Sequence, residues 1–306
     1  MSDEEYEPYQ WQIGDPSDWG DSVGVPDIPY MGYINNGDGD DERPPEESFH
    51  SRDEGLSRRA LDLEEQGRYE EALEVIDRAL RINSFRPNNW NVKAIILDNW
   101  GRNEEALKYY DKSLEMRDSD VVRGNKAQCL YRIVRNHVNF SSVTREDLHT
   151  INEALKILPD DDGRNDYIHI KGSVLEALGN QLQAKKCFLL AAGMFDEIKE
   201  LENQTDTIRK STRTLINISG TKHYSASRKL KKGSVVDLIR EYENRHDPDA
   251  IRVDFNGETV GYVGNSKQTV PDGVSSATDI KYRLVNDPKA EVMFWYMDHY
   301  LIARVI

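Results

Sequence analysis

The residues of this 306-residue chain best equipped for chemistry are few and widely spaced. Cys129 and Cys187 are its two thiols. Each sits in an apolar helical stretch, where a thiol packs as a small hydrophobe, and two cysteines cannot build a disulfide framework. They are expected to be buried and reduced, which suits a cytoplasmic protein. His223, His246, Asp247 and His299 have the donor types of a metal site, but their spacing fits no ligand pattern, so no metal is expected. The sequence lacks a phosphate-cradling Gly-rich loop with Lys-Ser/Thr, a Gly-x-Ser-x-Gly turn, a His-Glu-x-x-His pair and a paired-cysteine site. No catalytic residue and no cofactor are expected, and the chain reads as non-enzymatic. What remains is binding chemistry. Arg228, Lys229, Lys231 and Lys232 form a loop cluster that suits either a phosphate track or a solvated surface. Asp247-Pro248-Asp249 reads as a turn in which Asp247 accepts from backbone amides. Phe294 and Trp295 alternate on a strand, so one ring belongs in a core.

The elements that must position these residues begin after residue 53. The net charge of -15 is concentrated at the front: residues 1–55 hold sixteen acids against Arg43 and Arg52. The remainder is close to neutral, so the overall sign does not exclude a nucleic-acid partner. Residues 1–53 are rich in Asp, Glu, Gly, Pro and Asn without a helical or strand period, and they are expected to be disordered. Their aromatics, among them Trp11 and Trp19, fit either a solubilising tail or a segment that covers a basic surface. The first five residues are acidic with no apolar core behind them, so a secretory signal is not expected. No stretch approaches the ~20 apolar residues of a membrane-spanning helix, and no membrane partner is expected.

From residue 56 the chain repeats itself. Gly67-Arg68-Tyr69-Glu70-Glu71-Ala72-Leu73 returns 34 positions later as Gly101-Arg102-Asn103-Glu104-Glu105-Ala106-Leu107. Two further copies drift more, one ending at Glu153-Ala154-Leu155 and one carrying Gly172, Gly179 and Ala184. The period, the turn glycine and the alanine where helices touch resemble the tetratricopeptide repeat. Residues 136–142 are expected as an insertion in the third inter-helix turn, and a closing helix is expected near residues 196–210. The resemblance implies a groove for an unknown protein or peptide. Its wall would present Ser57, Asn88, Asn91, Asp98, Asn125, Arg132 and His169, of which Asn88, Asn91, Asn125 and Arg132 are the candidate partner-binding residues. The lysines of a carboxylate clamp are mostly missing, so a chaperone-tail groove is not expected.

After Lys210 the period changes to 2, with strands expected at 213–219, 235–239, 250–255, 258–263, 290–296 and 300–306. Asn256-Gly257 between two of them is a preferred hairpin turn. One short helix is expected near residues 276–284. The run from Leu238 through Glu241, Asn244, His246-Asp247 and Ala250-Ile251-Arg252-Val253 to Gly261-Tyr262-Val263 resembles the core of the HIRAN domain. That resemblance implies a pocket for single-stranded nucleic acid, with free 3′ ends of DNA as the expected ligand. Lys222 and His223 would grip phosphate and base, and His246 and Asp247 would fill the aromatic-aspartate pair of the turn. Tyr262 would stand where the family has a histidine, and Phe294 or Trp295 would supply the far wall. His223 and His246 in aromatic positions and Lys222 in place of arginine weaken the match, since lysine lacks the bidentate fork.

The expected fold class is therefore α+β and multidomain. Residues 1–53 form the acidic tail, 54–212 an α-helical tetratricopeptide solenoid with a capping helix, and 213–306 a small β-barrel-like HIRAN domain. The expected function is a nucleic-acid-binding adaptor in DNA repair or processing, with a protein–protein scaffold that has lost nucleic-acid contact as the alternative.

Overall fold

A computed structural model describes residues 52–159 and 163–306. The expected acidic tail lies outside the described residues apart from its last two positions. Arg52 and Asp53 already belong to helix α1, because Asp53 is buried and accepts from Asn89 at 3.3 Å and from Arg86 at 3.4 Å.

Among the described residues, the first part of the chain is a series of helices: α1 (Arg52–Glu65), α2 (Tyr69–Ile82), α3 (Pro87–Asn99), α4 (Asn103–Met116), α5 (Asp120–Asn139), α6 (Arg145–Ile157), α7 (Arg164–Ala177), α8 (Gln181–Ala191) and α9 (Phe195–Lys210). The first eight pack as four consecutive hairpins, and α9 closes the series against α8. The turn glycines do what their spacing suggests. Gly67 and Gly101 have φ of 73° and 86°, and the amides beyond them reach back to the helix ends (Arg68 N to Leu63 O, 2.9 Å; Arg102 N to Leu97 O, 2.8 Å). This is a left-handed cap that a glycine adopts without steric cost. Ala72, Ala106 and Ala184 are buried in the first turn of the second helix of their hairpins, and Ala154 is buried near the end of α6, as Ala79 is in α2; at each the absence of a larger side chain lets the helices approach.

The third hairpin differs from expectation. Residues 136–139 do not loop out; they extend α5 to Asn139, and only residues 140–144 form the turn. Ser141 takes the glycine's place there with φ 53°, and Ser142 N closes on His137 O at 2.9 Å. The next helix is started by a capping box, in which Thr144 and Asp147 satisfy each other's backbone amides.

The second part is a closed six-stranded barrel: β1 (Leu215–Ser219), β2 (Val235–Arg240), β3 (Ile251–Phe255), β4 (Glu258–Val263), β5 (Lys289–Tyr296) and β6 (Tyr300–Val305), in the order β1-β4-β3-β2-β5-β6. All neighbouring strands are antiparallel. Asn256 and Gly257 turn β3 into β4 with φ of 53° and 80°, the two positive values the hairpin requires. Short helix α10 (Ala277–Ile280) plugs one side of the core with Ala277 and Ile280. Gly261 is needed for strand packing, since a Cβ there would lie 2.5 Å from the Ser219 carbonyl oxygen.

Strands β5 and β6 are covered on both faces. Ala290, Val292, Leu301 and Ala303 point into the barrel, whereas Tyr296 and Ile302 join Leu189 of α8 and Leu201 and Ile208 of α9 in a separate apolar cluster. Thr205 Oγ1 and Tyr296 OH are 3.1 Å apart within it. Double coverage explains why these strands read as nearly continuous apolar runs. Among the described residues no helix is long and apolar enough to cross a membrane.

Candidate nucleic-acid interface

The outer face of β4 and β3 and the loop from β2 to β3 carry the site. Antiparallel register puts Tyr262 beside Ser219 on one side and Arg252 on the other. The β3–β4 register shifts between Val253 and Asp254, leaving Val260 as an extra residue, so Val260 and Val263 both enter the barrel core while the Tyr262 ring stays on the outside. Tyr262 OH donates to Glu241 Oε2 at 3.3 Å, and Arg252 donates to Glu241 Oε1 at 2.8 Å. Asn244 holds the same carboxylate from the loop side, with Nδ2 to Oε2 at 2.8 Å. The hydrogen bond from Asn244, outweighing partial burial and helped by Arg252 and Tyr262, keeps Glu241 below its ordinary pKa. Burial and the adjacent Glu241 charge push the Tyr262 phenol up, so it remains a donor at neutral pH.

Asn244 also organises the turn. Its Oδ1 accepts from the amides of His246 (2.9 Å) and Asp247 (3.1 Å). Asp247 Oδ1 accepts from Asp249 N at 2.8 Å, and Oδ2 accepts from Asn265 Nδ2 at 2.9 Å. Asn265 lies two residues beyond the end of β4, so the turn is tied to the strand that carries Tyr262 from two directions. Each Asp247 oxygen keeps one further lone pair for another donor.

Lys222 and His223 are exposed in a 3₁₀ turn directly after β1, residues Thr221–His223. Tyr224 follows them, and its ring lies 6.4 Å from that of Tyr262 at 49°. Tyr262 and Asp247 are thus joined through Glu241 and Asn244 in one hydrogen-bonded frame, which His246 adjoins in sequence and Lys222 and His223 adjoin through Tyr224. Phe294 does not. It packs in the cluster between β5, β6 and the last helices, and β5 is three strands from β4 in either direction round the barrel. Trp295 is half exposed on the same remote strand. Sequence alternation identified a core ring but not which of two cores it enters. Tyr224, Glu241 and Asn265 were not singled out in the sequence. Tyr224 adjoins Lys222-His223 and Glu241 lies within the recognised run, whereas nothing local marks Asn265. Of the basic loop, Lys229 is paired with Glu258 at 2.7 Å, and Arg228, Lys231 and Lys232 are exposed. Among the described residues no three His, Cys, Asp or Glu side chains gather as a metal site.

The candidate partner residues of the helical array are mostly engaged within it. Asn91 and Asn125 are buried, and Asn125 Nδ2 donates to Asn91 Oδ1 at 3.3 Å across one repeat. Arg132 pairs with the buried Asp98 carboxylate at 2.9 Å, which also accepts from Asn103 at 2.6 Å. Ser57 is likewise buried against Asn89. Asn88 is exposed, and exposed His169 packs on Phe188 with centroids 5.1 Å apart.

A hairpin array joined to a closed barrel, with aromatic, amide and basic side chains on one barrel face, defines a protein of two binding modules. The chain is a fusion of tetratricopeptide repeats with a HIRAN domain: residues 53–84 and 87–120 match the tetratricopeptide repeat, and residues 212–282 match the HIRAN domain. The third and fourth hairpins extend the series beyond the matched repeats. No curated protein matches the chain. Similar solved structures include MamA from Desulfovibrio magneticus RS-1, at 18% identity over 51% of this chain and 98% of that one, with a TM-score of 0.33. They also include the Yersinia enterocolitica type III secretion chaperone SycD in complex with a YopD peptide, at 15% identity over 49% and 93%, with a TM-score of 0.27. BtubC from P. vanneervenii matches at 15% identity over 49% and 80%, also with a TM-score of 0.27. The HIRAN module suggests nucleic-acid binding and the repeats suggest protein interaction.

Proposed function

We propose that this protein is a non-enzymatic, cytoplasmic adaptor in DNA repair or processing. The barrel engages single-stranded DNA at free 3′ ends, and the array recruits a protein partner. One observation carries the reading: Tyr262, Glu241, Asn244, Asp247 and Asn265 form a single hydrogen-bonded frame, adjoined by Lys222 and His223 through Tyr224. Flat rings in such a frame stack on any base, contributing about 1–3 kcal/mol per base. The spare lone pairs of Asp247 suit a terminal 3′ hydroxyl. A continuing strand offers no proton there, so the carboxylate would favour ends. The partner-binding surface of the array is drawn from Asn88 and His169, since Asn91, Asn125 and Arg132 already serve the packing between repeats.

The test is fluorescence anisotropy of the full chain with a labelled single strand whose 3′ end is free or phosphorylated. The free end is expected to bind more tightly, and Asp247→Ala is expected to reduce that preference by about tenfold. Added salt weakens both complexes as counterions return. A second reading, a protein scaffold without nucleic-acid contact, is favoured by the use of both Asp247 oxygens in the turn. Equal binding of the two ends, or none, selects it.

A further inference from the structure

Beside the Asp247 turn lies a second aromatic group. Tyr242, in the loop after β2, and Tyr282, just past α10, are 75% and 77% exposed. Between them stands Arg240, whose guanidinium carbon is 4.5 Å from the centroid of Tyr242 and 5.1 Å from that of Tyr282. The Lys281 ammonium lies 4.9 Å from the Tyr282 ring and is paired with Asp249, which also accepts from Thr278 at 2.7 Å. Asp249 belongs to the turn built by Asp247, so the two aromatic groups share a rigid support. Arg240 reaches the Lys281 carbonyl at 3.5 Å, and its Nε is buried without a hydrogen-bond partner. The side chain is thus held chiefly by packing between the rings.

A cation against each ring fixes its orientation, and the high exposure leaves ring surface open to solvent. The local charges nearly balance. Arg245 and Arg283 are exposed, and so is Glu243, which repels a phosphate on the loop side. Attraction at this place therefore comes from stacking and not from net charge. We infer that Tyr242, Arg240 and Tyr282 form a stacking platform for unpaired nucleobases, contiguous with the Asp247 turn, so that the barrel holds an internal stretch of strand as well as its end. This rests on the single-strand reading above and adds a second contact region to it.

The experiment uses the full chain, its Tyr242→Ala and Tyr282→Ala variants and the double variant. Binding is measured to a trinucleotide and to a twelve-nucleotide single strand, both with free 3′ ends, at several salt concentrations. The platform predicts that the long strand binds more tightly than the trinucleotide. Each tyrosine variant loses about tenfold for the long strand. Trinucleotide affinity and the slope of binding against salt stay unchanged, because no phosphate contact is removed. Circular dichroism melting of the variants verifies the fold, both side chains being on the surface. Undiminished long-strand affinity in the double variant overturns the platform while leaving end recognition standing. Equal losses for both strands overturn it too, by showing that the rings serve the terminal pocket. Absence of binding to any strand overturns platform and end reading together. Loss of self-association in the variants, with DNA affinity intact, assigns the rings to a protein contact instead.

Discussion

At the scale of single residues, identical requirements in different repeats were met by different side chains. The first two inter-helix turns use glycine in the left-handed region, and the third uses Ser141 with φ 53°. An L-residue in that conformation is disfavoured by roughly 1 kcal/mol, and glycine is not. Ser141→Gly is therefore expected to stabilise the array by about 0.5–1 kcal/mol, read as a higher urea midpoint at unchanged slope. The same scale explains the partner residues. Asparagines at 91 and 125 looked available for a ligand because their repeat positions face the groove. Their side chains bond each other instead, one rung between neighbouring first helices. Asp98 and Arg132 form a second such rung.

At the scale of elements, α5 and α6 are joined by a small electrostatic device. His137 Nδ1 lies 2.6 Å from Asp147 Oδ1, and Thr144 donates both its amide and its hydroxyl to the same carboxylate. Burial alone would raise the Asp147 pKa, but the bonds from His137 and Thr144 outweigh it and hold it below the ordinary value. A lowered folded-state pKa contributes stability that is present above the unfolded value near 3.9 and is lost as pH falls through the folded one. Asp147→Asn is thus expected to destabilise the chain at pH 6, with the deficit narrowing as pH drops below about 4. Urea titrations of both proteins across that range test it; a deficit independent of pH would assign the effect to the cap geometry alone.

At the scale of the whole molecule, the array and the barrel share an apolar cluster and not a bare linker. Leu201 and Ile208 of α9 meet Leu215, Tyr296 and Ile302 of the barrel, and a Cβ on Gly273 would lie 2.8 Å from Ile208 Cγ2. Ile208→Ala is expected to cost about 2–4 kcal/mol, and Ile208→Asp to divide one calorimetric transition into two as the modules uncouple. A single transition in both variants would show that the cluster does not couple them. The 34-residue echo, the turn glycines and the change of period from 3.6 to 2 determined the class, the order of the modules and most strand positions, because local backbone preference and hydrophobic period are written residue by residue. The closure of the barrel, the distance of Phe294 from Tyr262, the burial of Asn91 and Asn125, and the meeting of Tyr242 with Arg240 and Tyr282 were decided only in three dimensions. Each depends on which strand or helix lies next to which, and contacts between segments far apart in the chain leave no local pattern to read.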